Sequence, residues 1–193
     1  MYVLDVEQFK KARLSLTLIL INVLCYILFN LALPQRYILA FVQINVLIIE
    51  DLELWRLLTP IFFHADIIHL FSNMVGLLLF GAVVEENYSK VQYIIIYFLS
   101  GLIGNLFSLW LLPLYSISLG ASGAIFGLMG ATVIMFLFEE DKTLLLFGLV
   151  YIAFFLYSSL APGINIWAHL FGLIGGVGFG YLFSYYRNRE YAY

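Results

Sequence analysis

Four long stretches of this 193-residue chain carry no Asp, Glu, Lys or Arg: residues 14–35, 67–84, 91–138 and 143–186, or 22, 18, 48 and 44 residues. A helix that crosses the hydrocarbon core of a bilayer needs about 20 apolar residues. The first two stretches therefore give one spanning helix each. The last two are long enough for two each, and both contain a breaker: Pro113 followed by LYSISLG, and APG at Ala161–Gly163. The expectation is an all-α membrane protein, a single domain over 1–193. Its six helices are placed at about 14–33, 68–87, 91–112, 120–138, 143–160 and 166–186. The composition, 64% hydrophobic and 11% charged, agrees. Soluble domains run nearer half apolar and a quarter charged.

One sizeable connection remains, a large first loop over about 34–67, rich in Trp, Phe, Leu and Ile and so expected to be packed. Within it the charge-free residues 37–49 are too short to span and read as an interfacial or re-entrant segment. With six helices both termini share a side. That side holds Lys10, Lys11, Arg13, Lys90, Lys142, Arg187 and Arg189, against Arg36 and Arg56 opposite. The lysine and arginine bias puts both termini in the cytoplasm and the long loop outside. Met1–Lys11 shows no cleavable leader pattern. Acidic clusters at Glu85–Glu86 and Glu139–Asp141 read as solvated loop edges. A net charge of -3 argues against a nucleic-acid partner. Cys25 is the only cysteine, which excludes an internal disulfide.

The second, fourth and sixth helices all begin on the outer side, and their polar residues lie near those beginnings: His69 and Asn73, Ser122, and His169. Polar side chains at such depth face protein or water and mark functional sites by default. Taken alone, each has a plainer role. Ser122 reads as a small packing residue, Asn73 as interhelical glue and His169 as a helix-end histidine. Two small-residue stripes bring them together. Gly123 and Gly127 follow Ser122, and Gly172, Gly176 and Gly180 follow His169 on nearly the same face. If the stripes face each other, the imidazole reaches the hydroxyl and supplies the base that a serine nucleophile requires. No Asp or Glu occurs in 91–138 or 143–186, so the arrangement expected is a Ser122–His169 dyad with the imidazole held by packing. Phe126 is placed to stack on it. His69 and Asn73, four residues apart, and the Ser122 backbone N–H would supply donors for a developing oxyanion.

These residues resemble the rhomboid family of intramembrane serine proteases. The matching features, in order, are WR at Trp55–Arg56, HADIIHLFSN with His64, His69 and Asn73, GASG at Gly120–Gly123, and AHLFGLIGG at Ala168–Gly176. The resemblance covers roughly 50–180, and the six-helix count is that of the minimal bacterial and archaeal form. It implies an endopeptidase that cuts transmembrane protein substrates near the outer membrane face, in a prokaryotic plasma membrane, with no cofactor. It also implies supporting roles for His64, Arg56, Gly120, Gly123, Gly172 and Gly176. Where many relatives carry a tyrosine, this chain has Phe126.

The alternatives differ in class. An inactive rhomboid-like protein would bind membrane clients without cutting; such relatives typically lack the serine or the histidine. A transporter would show an intramembrane charged pair or an inverted repeat. A zinc enzyme could use His64, His69 and His169, but H-E-x-x-H is absent. Nothing in the residues sets the oligomeric state.

Overall fold

The computed structural model describes residues 11–190, with side chains described as far as Arg187. Residues 1–10, all but the last of the segment read for a leader, lie outside the described residues. Among the described residues the chain is all-α apart from one short strand pair. Its principal helices are α1 (Arg13–Tyr26, continued by a π-helical stretch to Ala32), α2 (Ile67–Asn87), α3 (Lys90–Leu111), α4 (Ser122–Phe138), α5 (Lys142–Ser158) and α6 (Ile166–Glu190). Among the described residues four segments are long and apolar enough to cross a membrane: Arg13–Ala32, α2, α3 and Ile166–Arg187 within α6. Helices α4 and α5 are apolar but shorter, at 17 residues each.

Local chemistry explains where these helices start. The first N–H groups of a helix have no acceptor within it. Asp66, Asp141 and Asn165 each accept one through a side-chain oxygen, from His69, Leu144 and Ala168 respectively. Ser89 and Gln92 form a reciprocal capping box at the start of α3. For α1 the acceptor comes from another helix. The Glu85 carboxylate takes the N–H groups of Leu14 and Ser15 at 2.8 and 3.0 Å and the Ser15 hydroxyl at 3.0 Å. Glu85 and Asp141, expected at solvated edges, are therefore structural. Each meets helix-end N–H groups that would otherwise lack partners.

Helix α4 is the centre of the molecule. Thirteen of its seventeen residues are buried, so protein surrounds it. Its small residues let α6 approach backbone to backbone. A Cβ added at Gly172 would fall on the Gly123 carbonyl, one at Gly176 on the Gly127 carbonyl, and one at Gly180 would lie 2.7 Å from the Ala131 Cα. On a second face, a Cβ at Gly127 would collide with Ser100 of α3.

The segment between Ala32 and Ile67 is folded into short helical turns and a six-residue helix, Asn45–Glu50. It is tied to the chain ahead of α4 by an antiparallel pair, β1 (Gln43–Ile44) with β2 (Ile117–Ser118), in which Gln43 lies opposite Ser118. Phe29, Phe41 and Phe63 cluster with ring centroids 5.1 to 5.2 Å apart. Buried Arg56 donates to the carbonyls of Leu39 and Val42 at 2.5 and 2.8 Å and pairs with Glu53. A planar guanidinium with five donors suits this use, since it gathers backbone carbonyls that water cannot reach.

Candidate active site

Ser122 is the first residue of α4, and His169 lies in the first turn of α6. The backbone contact of the two helices brings His169 Nε2 to 2.7 Å from Ser122 Oγ. The Phe126 ring stacks on the imidazole, with centroids 4.6 Å apart and planes 16° from parallel. Such stacking contributes about 0.5–1.5 kcal/mol beyond area burial.

The expectation that packing alone holds the imidazole is corrected by Ser159. This buried residue, just beyond the end of α5, places its hydroxyl oxygen 2.7 Å from His169 Nδ1. The same hydroxyl donates to the Phe155 carbonyl at 2.7 Å. No helical spacing links Ser159 to His169, because they sit on different elements ten residues apart. The available signal was depth: α5 ends on the side where α2, α4 and α6 begin. Asn165 was also missed. It caps α6 and bonds the hydroxyls of Ser108 and Ser118, joining the start of the histidine's helix to α3 and β2.

Ser122, His169, His69, Asn73, Gly120 and Phe126 all line one cavity of about 770 Å³. Its walls are otherwise largely apolar, with Phe71, Val75, Met129, Tyr151 and Phe155 among them. Gly120 has a φ of +131°, which L side chains rarely adopt. A Cβ there would lie 2.8 Å from His69 Nε2 and 3.6 Å from Ser122 Oγ. Glycine therefore leaves room between the imidazole of His69 and the serine hydroxyl. Asn73 is buried and uses its side-chain nitrogen on the His69 carbonyl at 2.8 Å, while its Oδ1 is buried without a partner. An amide nitrogen carries two hydrogens, so one donor remains. Ser122, at the first helical position, has no intrahelical acceptor for its N–H.

The other expected residues stand back from the cavity. Gly123, Gly172 and Gly176 set the helix contact, and Arg56 holds the 33–66 segment. His64 is buried beneath His69, ring centroids 5.0 Å apart, with neither ring nitrogen hydrogen-bonded. Among the described residues no three His, Cys, Asp or Glu side chains gather closely enough to hold a metal ion.

Residues 51–186 match the family model of the rhomboid domain. The chain belongs to the rhomboid family. It is 38% identical over 149 residues to the putative rhomboid protease YdcA of Bacillus subtilis, covering 72% of each chain. It is 35% identical over 148 residues to the rhomboid-like protease 3 of Toxoplasma gondii, covering 73% of this chain and 54% of that one. Against the rhomboid protease GluP of Bacillus subtilis it is 36% identical over 128 residues, covering 64% of this chain and 25% of that protein. The chain thus spans about half and a quarter of the length of the latter two. Rhomboids are generally intramembrane serine proteases, and this rhomboid is an integral membrane protein.

Proposed function

We propose that this rhomboid is a serine endopeptidase that cleaves transmembrane helices near the outer face of the membrane through a Ser122–His169 dyad. The observation that carries this reading is the 2.7 Å contact between Ser122 Oγ and His169 Nε2 inside a cavity also lined by His69 and Asn73.

Ser122 Oγ attacks the scissile carbonyl as His169 Nε2 takes its proton. The carbonyl oxygen, now negative, accepts hydrogen bonds from His69, Asn73 and the Ser122 N–H. Removing one such donor typically costs about 10²–10³ in kcat. His169 then gives its proton to the leaving amine, and the C–N bond breaks. Water entering from the outer side repeats the sequence and returns free Ser122 and a new carboxylate.

A membrane substrate is supported by the apolar cavity wall and by the depth of the serine. At 1.5 Å per residue, the 17 residues of α4 measure roughly 26 Å, short of a hydrocarbon core of about 30 Å. We further assign a single six-helix domain over 1–193, with its large first loop outside and both termini cytoplasmic. The membrane is a prokaryotic plasma membrane, a placement supported by the match to most of a Bacillus protein.

Cleavage of a generic single-span substrate in liposomes tests the reading. Wild type should cut, while Ser122→Ala and His169→Ala should lose cleavage by at least about a thousandfold with unchanged unfolding curves. Persistent cutting by Ser122→Ala would return the serine to a packing role. A wild-type protein that neither cuts nor reacts at Ser122 with a fluorophosphonate would be a client-binding rhomboid.

A further inference from the structure

Resting on the Ser122–His169 reading, we propose that Ser159 is a positioning residue that selects the reactive tautomer of His169. A neutral imidazole carries one N–H, and it acts as a base only through the other nitrogen. For His169 to take the Ser122 proton at Nε2, its hydrogen must sit on Nδ1.

The surroundings of Ser159 favour that choice. The hydroxyl has one hydrogen, and the Phe155 carbonyl, an acceptor only, lies 2.7 Å away to receive it. With its hydrogen so used, the Ser159 oxygen meets His169 Nδ1 at 2.7 Å as an acceptor. Nδ1 must then be the donor. A one-way chain of hydrogen bonds follows, from Ser122 O–H to Nε2, from Nδ1–H to Ser159 Oγ, and from Ser159 O–H to the Phe155 carbonyl. When Nε2 accepts the serine proton, the Nδ1–H stays in place and its bond to Ser159 becomes charge-assisted. Ser159 thus supplies orientation as a buried carboxylate does in soluble hydrolases, without a charge in the membrane and without itself moving a proton.

The test uses full-length protein in detergent. Fluorophosphonate labelling of Ser122 reads nucleophile activation without a membrane substrate, and ¹⁵N NMR of histidine-labelled protein reads the tautomer without any reaction. Wild type should show His169 protonated at Nδ1 alone. Ser159→Ala should label about ten- to a hundredfold more slowly and lose the single tautomer. Its KM for substrate should stay unchanged while kcat falls. Ser159→Thr, which keeps the hydroxyl, should restore both readings. Ser159→Cys, close in size but a weak acceptor, should behave like alanine even if alanine disturbs packing. Unchanged labelling and tautomer in Ser159→Ala and Ser159→Cys, or a wild-type His169 protonated at Nε2, would overturn the proposal. A wild type that is never labelled would instead sink the hydrolase reading, and the tautomer comparison would still decide the role of Ser159.

Discussion

Gly120 shows how much of the site depends on one missing atom. Its φ of +131° and the nearness of His69 Nε2 leave no room for a side chain. Gly120→Ala should cost about 1–3 kcal/mol of stability through backbone strain. It should also push His69 aside, so that Ser122 labelling by a fluorophosphonate falls more than the loss of folded protein explains. Equal falls in both would show that only the fold was affected. The residues of the cavity differed in how readable they were. Ser122, His169, His69 and Asn73 stood out because a polar group deep in an apolar run has few neutral explanations. Ser159 did not stand out, since a serine just past the end of a helix is commonplace and nothing local points to a partner ten residues on.

The contact between α4 and α6 belongs to the scale of elements. A Cβ at Gly176 would fall on the Gly127 backbone, whereas nothing lies within 4 Å of one at Gly178. Gly176→Ala should therefore force the helices apart and cost about 1–3 kcal/mol or more, with Ser122 labelling lost. Gly178→Ala should stay within about 0.5 kcal/mol of wild type and label normally. Unfolding in SDS and labelling rates on the same two samples check the pair. This contact was legible because small residues four apart leave a periodic mark. The anchoring of α1 by Glu85 was not, because an acidic residue at a helix end has the same sequence appearance whether it meets water or another helix's N–H groups. The fold of residues 33–66 was legible only as packed, with an interfacial or re-entrant segment at 37–49. Its carbonyl-gathering Arg56 depends on three-dimensional closure that spacing does not encode.

For the whole molecule, pH enters through His64, which lies outside the spanning helices. Burial first, and then the neighbouring His69, lower its pKa from 6.5 to about 3, with Asp66 opposing. The unfolded chain protonates this side chain below pH 6.5 while the folded protein does not. Its contribution to stability is therefore flat above pH 6.5 and is lost as pH falls from 6.5 towards 3, by at most about 1.4 kcal/mol per pH unit. Unfolding curves across that range should slope less in His64→Gln than in wild type, and parallel slopes would remove His64 as the cause. The glycine contact of α4 with α6 has a different consequence at this scale. No flexible side chain lies between the two backbones there, so the spacing of serine and imidazole has nothing soft to adjust it. Thinning or thickening the bilayer will act first on α5, in which Ile152 is the one buried residue among those described. Lipid composition should accordingly change how readily the cavity opens while leaving the reach between Ser122 and His169 the same from one membrane to the next.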